Sequence, residues 1–125
     1  MKKAVQGENI PKAIGPYSAA VRVGNALYLS GQIPVNADGE IVGGSVTDAV
    51  KTIMGNIGEI LLSEGMTLSD VVKTTVFSTK MEYFSEFNEC YASFFSAPFP
   101  ARSFVEVSKL PKNAMIEIEA IAIKD

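Results

Sequence analysis

Three side chains in the last quarter of the sequence have the types and spacing to act on a small carboxylate. Arg102 follows Phe99-Pro100-Ala101, a stiff lead-in, and its planar, permanently charged guanidinium suits two-point binding of a carboxylate. A structural alternative is an interfacial salt bridge with a glutamate. Glu117 and Glu119 alternate in a strand-like run, so they share one sheet face. In a partly buried cleft a carboxylate acquires a raised pKa and can act as a general base on water; on an open face the pair is merely solvated. Two like charges so close are not both expected to be buried and ionised.

Composition narrows the chemistry. The 125-residue chain contains no histidine and one cysteine, Cys90. The commonest general base and metal ligand are therefore missing, as is every Ser-His or Cys-His nucleophile pair. A zinc site would need carboxylates alone. Cys90 has no basic neighbour in sequence and reads as a buried, inert thiol. The net charge is −3, with only two arginines, Arg22 and Arg102, which argues against a nucleic-acid footprint. No apolar run approaches the length of a membrane span, and the N-terminus has no h-region of a secretory signal. A reducing cytoplasm is the expected location.

The elements that must position these residues follow from periodicity. Length fits one domain, 1–125. Residues 18–23 and 26–30 read as strands joined at Gly24-Asn25, and the loop 34–45 follows, rich in Gly, Asn and Asp. A helix comes next, capped by Thr47 and ended by Gly65, with Val46, Ala49, Val50, Ile53, Ile57, Ile60 and Leu61 at helical spacing. Gly55 and Gly58 inside it suggest close packing against a sheet. Residues 70–79 read as a strand, 82–95 as an aromatic-faced helix, and 102–107 and 115–123 as strands separated by a turn at Leu110-Pro111-Lys112-Asn113. The order β-β-α-β-α-β-β predicts an α+β fold, with one mixed sheet covered by two helices on one face.

Alternation assigns Ile116, Ile118, Ala120 and Ala122 to the helix side. It assigns Ser103, Val105 and Val107 to that side as well, leaving Arg102, Phe104 and Glu106 on the open face. With Tyr28, Phe77, Glu117, Glu119, Ile121 and Ile123, that face is too apolar for solvent alone, so it is expected to pack against other copies of the chain. The 47% hydrophobic content, high for a domain this small, points the same way.

Quieter candidates complete the set. Asn88 interrupts the aromatic stripe of the second helix, and its amide needs partners in a ligand or in a nearby loop. Ser30 offers a hydroxyl, and Gly31 a backbone position that a ligand can approach closely; either also serves as ordinary turn punctuation.

Five strings in order, Ala13-Ile14-Gly15-Pro16-Tyr17, Ser30-Gly31-Gln32-Ile33-Pro34-Val35, Val72-Lys73-Thr74-Thr75-Val76-Phe77, Phe99-Pro100-Ala101-Arg102-Ser103 and Ile116-Glu117-Ile118-Glu119-Ala120-Ile121-Ala122, resemble the RidA family of reactive-intermediate deaminases. The resemblance implies a chorismate-mutase-like homotrimer whose sheets pack into a central barrel, with clefts between subunits. It implies hydrolysis of 2-aminoacrylate and 2-aminocrotonate, or their imine tautomers, to 2-oxo acids and ammonia, without a cofactor or metal. Carried over by motif, Arg102 would bind the substrate carboxylate and Glu117 would activate water. Tyr17, Ser30, Gly31 and Asn88 would line the cleft. The chain departs at Phe104, where many members have Cys, and the segment between Phe95 and Phe99 is shorter than usual. If the thiol were essential, the chain would instead be a non-catalytic trimeric binder of 2-oxo acids or other small carboxylates, which ammonia release would distinguish. A third reading, an RNA-directed activity, has the net charge and the absent histidine against it.

Overall fold

A computed structural model describes residues 1–7 and 9–125. Strands β1 (Lys3–Ala4), β2 (Ala20–Val23) and β3 (Ala26–Gln32) are followed by helix α1 (Val46–Ser63) and strand β4 (Val71–Ser78). Helix α2 (Phe84–Ala92) and strands β5 (Ala101–Glu106) and β6 (Ile116–Ile123) complete the order. The six strands form one sheet in the order β1-β2-β3-β6-β4-β5. Only β4 and β5 are parallel, and α2 supplies the crossover that a parallel pair requires. The expected mixed sheet with two helices is therefore present. β1, two exposed residues, had no alternation by which to be read.

α1 buries the apolar positions its spacing marks, with Met54 added to them. Its N-cap is Ser45, whose hydroxyl accepts from the Asp48 N–H at 3.1 Å, and not Thr47. Thr47 is turned outward: its N–H and hydroxyl both donate to Glu86 of α2, at 3.0 and 2.9 Å. The helix ends as expected at Gly65, in the left-handed region at φ 72°, while the Met66 N–H reaches back to Leu61 O at 2.9 Å. Close packing does not account for Gly55 and Gly58, because a Cβ at either would meet nothing within 4 Å. α2 is shorter than predicted: residues 81–83 form a separate 3-10 turn, and Phe94 and Phe95 lie beyond its end.

The core lies between sheet and helices. Leu27, Ile53, Ile60, Leu61, Val76, Phe87, Ile116 and Ile118 are fully buried, each contributing roughly 1.5–3 kcal/mol. Thr74 and Tyr91, buried between β4 and α2, satisfy each other through a 2.7 Å hydrogen bond.

The facing of β5 reverses the expectation. Parallel register aligns Arg102 with Thr74 and Phe104 with Val76, both of which face the helices. Arg102 and Phe104 therefore lie under α2. Glu106 shares that side and accepts from the Met81 N–H at the start of the 3-10 turn, at 2.7 Å. Ser103 lies on the open face beside Lys73, whose ammonium is 3.4 Å from its hydroxyl. The sequence of β5 offered no clean apolar side to follow: Arg, Phe and Glu alternate with Ser and Val. The open face retains Tyr28, Lys73, Thr75, Phe77, Glu117, Glu119, Ile121 and Ile123 and gains Ser103 and Val105. Tyr28, Val105 and Ile123 remain exposed on it, at 49%, 40% and 42%.

Candidate functional site

The residues singled out from sequence fall into two groups on opposite sides of the sheet. The first is built by the edge strand β5 and the overhanging α2. The Arg102 guanidinium sits 5.2–5.8 Å from the ring centroids of Phe84, Phe87, Tyr91 and Phe104. Its Nη1 donates to Asn88 Oδ1 at 2.7 Å. Asn88 thus holds the arginine rather than a loop, and its interruption of the aromatic stripe has a physical reason. The rings also pack on one another: Phe104 meets Phe84 and Phe87 edge-on at 5.1 and 5.2 Å, and Phe87 stacks on Tyr91 at 5.1 Å. Among the described residues no carboxylate of the same chain pairs with Arg102. Among the described residues the salt bridge is Arg22 to Glu64, at 3.5 Å. The charge of Arg102 is met by faces of rings and one amide oxygen, which leaves further N–H donors free for a carboxylate.

Phe104 contributes to this group in a second way. The Val107 N–H donates to Ser78 O of β4 at 2.8 Å. Alternate residues of a strand point their backbone groups to opposite edges, so Phe104 turns its N–H and C=O to the unpaired edge. Its ring packs beneath α2, on the side of the sheet opposite to the open face that alternation assigns to it.

The second group surrounds Glu117 on the open face. Glu117 lies between the fully buried Ile116 and Ile118, so its side chain emerges on the other side of β6. Its carboxyl rests over Gly31 in the irregular stretch of β3 between Leu29 and Gln32. Tyr17, Ser30, Gly31 and Glu117 line one cleft of about 730 Å³. The Ser30 hydroxyl donates to Ser18 O at 2.7 Å, and Tyr17 OH accepts from the Ile14 N–H at 3.3 Å. Burial, and then the neighbouring charge of Glu119, push the Glu117 carboxyl above the ordinary value of 4.5.

Sequence reasoning did not single out Lys12, Asp38 or Lys112, which line the same cleft. Lys112 is in the left-handed region (φ 55°) and donates to Gly39 O, tying the 34–45 loop to the turn before β6. The Pro-Lys-Asn turn was visible; that it closes a cleft was not. Burial raises the Cys90 thiol, whose sulfur contacts Thr47 O at 3.7 Å, in keeping with an inert thiol. Among the described residues no cluster of three or more His, Cys, Asp or Glu is placed to hold a metal ion, and no helix is long and apolar enough to cross a membrane.

Comparison with known proteins gives concordant matches. The family described as Endoribonuclease L-PSP matches residues 7–124. A RutC family protein of Pyrococcus horikoshii is 48% identical over 126 residues, covering 100% of both chains. The 2-iminobutanoate/2-iminopropanoate deaminase of Escherichia coli K12 is 44% identical over 127 residues, covering 99% of each. A crystal structure from Yersinia pestis, of a member of the conserved Rid protein family, superposes with TM-score 0.94 at 44% identity, covering 99% of this chain and 100% of that one.

Proposed function

This chain belongs to the L-PSP/RidA family, and on that premise we propose that it hydrolyses 2-imino acids, formed from 2-aminoacrylate and 2-aminocrotonate, to 2-oxo acids and ammonia. The Escherichia coli relative named for this reaction is similar over nearly its whole length. The observation that carries the reading is the aromatic cage in which Asn88 holds Arg102 with N–H donors to spare; across the sheet, the Glu117 carboxyl has a raised pKa. Arg102 anchors the substrate carboxylate in a fork of two hydrogen bonds. Glu117 accepts a proton from water as its oxygen adds to C2, and the proton passes to the nitrogen. The resulting carbinolamine then expels ammonia and leaves the 2-oxo acid. The imine carbon is already electrophilic, so holding substrate and water in line supplies much of the acceleration, with no cofactor.

Because Arg102 and Glu117 occupy opposite sides of one sheet, a complete site takes Arg102 from one copy and Glu117 from another. We infer a homotrimer whose open sheet faces pack together, covering Tyr28, Val105 and Ile123. Light scattering at micromolar concentration is expected to give three times the 13.4 kDa chain mass; a stable monomer would rule out the shared site.

Hydrolysis is tested by letting a threonine dehydratase generate the intermediate and following its loss, and ammonia release, with and without this protein. Accelerated release supports the enzyme. Binding of 2-oxobutanoate with no acceleration would make the chain a carboxylate binder, the reading that Phe104 keeps open. RNA cleavage draws no support from a chain of net charge −3 without histidine.

Phe104 is expected to set substrate range. Its ring walls the Arg102 anchor, and its free-edge backbone offers an N–H and a C=O to orient the imine nitrogen. The native protein should turn over imines of alanine and 2-aminobutyrate and be slower on that of leucine. Phe104→Cys should narrow that gap while costing roughly 2–3 kcal/mol of stability through lost ring packing. A native protein inert on all three imines, with an active Phe104→Cys, would show that the thiol is chemically required.

A further inference from the structure

We propose that Gly31 is a positioning residue: it is glycine so that the Glu117 carboxyl can lie over the β3 backbone. The inference rests on the Glu117 assignment above and adds to it. Nothing in the backbone conformation calls for glycine here, since Gly31 is absent from the positive-φ positions Gly15, Gly24, Gly39, Gly43 and Gly65. What calls for it is space. A Cβ at residue 31 would stand 2.7 Å from Glu117 Cδ, 2.9 Å from Oε2 and 3.0 Å from Cγ, closer than side-chain atoms pack. No other residue crowds that position within the three nearest contacts. Sequence marks Gly31 as a backbone position that a ligand can approach closely; in the structure the Glu117 carboxyl lies over it.

The strand cannot easily yield. The Ser30 N–H is bonded to Ala19 O at 2.9 Å, and Gln32 pairs with Ile118. The Glu117 side chain can yield, by turning its carboxyl out toward the open cleft. Gly31→Ala therefore leaves the fold nearly intact but removes the carboxylate from its half-buried seat. The charged or titratable groups around that seat are Glu119 on β6, Lys12, Tyr17, Asp38 and Lys112 along the cleft and, in the shared site proposed above, Arg102 of another copy. None is altered by the substitution, so a change in the titration of the catalytic step reports the move of Glu117.

The test compares native protein, Gly31→Ala, Glu117→Gln and the double variant. For Gly31→Ala, kcat is expected to fall by roughly 10-fold or more. Its acid limb should shift toward the ordinary 4.5, while 2-oxobutanoate binding and the melting temperature hold. In the Glu117→Gln background the same substitution should cost nothing further in kcat. A crystal structure of Gly31→Ala should show the carboxyl swung away. Three results would overturn the inference: native kcat in Gly31→Ala, a parallel loss of 2-oxobutanoate binding with an unmoved acid limb, or a carboxyl still seated over residue 31. Undiminished turnover in Glu117→Gln would instead sink the Glu117 assignment. The crystallographic readout would still judge the steric relation separately.

Discussion

Glu117→Gln is expected to lower kcat on the imine of 2-aminobutyrate by roughly 10²–10³-fold, the usual worth of a positioned general base. Ligand binding should change little, because glutamine keeps the shape and loses only the proton acceptor. The pH profile gives a second handle. Water activation requires the carboxylate, and burial together with Glu119 holds the Glu117 pKa above 4.5. Activity should therefore fall with acidification at a higher pH than for a free glutamate, and Glu119→Gln should move that limb downward. Stability has the opposite sign. A carboxyl whose pKa is raised by folding favours the fold below its unfolded pKa and loses that contribution as pH rises through the folded pKa. Glutamine loses nothing, so Glu117→Gln should gain melting temperature relative to the native protein at pH 7 and not at pH 4. Glu119→Gln should reduce turnover less than Glu117→Gln; the reverse ranking would mean that the other glutamate is the base.

Arg102→Ala should lower kcat/KM by roughly 10²–10³-fold, the loss of about 3–4 kcal/mol of charge-assisted hydrogen bonding to the substrate carboxylate. Arg102→Lys keeps the charge but not the fork. It also loses the planar stack within the aromatic cage, so most activity should disappear there too. Arg102→Ala also leaves the half-buried Asn88 Oδ1 without its protein donor, at a cost of about 0.5–1.5 kcal/mol in stability. Asn88→Ala should release the guanidinium and raise KM with a smaller effect on kcat. Near-native kcat/KM in Arg102→Lys would place the carboxylate elsewhere.

Much of this was legible in the residues. The spacing of Ile53, Ile57, Ile60 and Leu61 marked α1, and Ile116, Ile118, Ala120 and Ala122 marked the covered face of β6, because burial on one side imposes a period that composition cannot hide. β5 was misread because it is an edge strand. Its helix-side positions carry an arginine, an aromatic ring and a glutamate instead of a continuous apolar row, and only pairing with β4 fixes which side they face. The same limit applied to the site. Tyr17, Ser30, Gly31 and Glu117 were each identified and do converge on one cleft, whereas Asn88, Arg102 and Phe104 converge elsewhere. No sequence pattern could separate them, since the division depends on which face of a sheet each strand presents. Ser45 is the cap and Thr47 is not, because the helix starts at Val46; Thr47 instead bonds Glu86, a contact across 39 residues.

That division supplies the most direct measurement. Arg102→Ala and Glu117→Gln, each purified as a nearly inactive protein, are unfolded together, refolded as a mixture and assayed for imine hydrolysis. If each site draws Arg102 from one subunit and Glu117 from the next, random reassortment at equal concentration restores about a quarter of the sites to native composition. Activity should return to roughly that fraction, while each variant refolded alone stays inactive. A mixed preparation that reassembles into hetero-oligomers and yet stays as inactive as its components would contradict a site shared between copies.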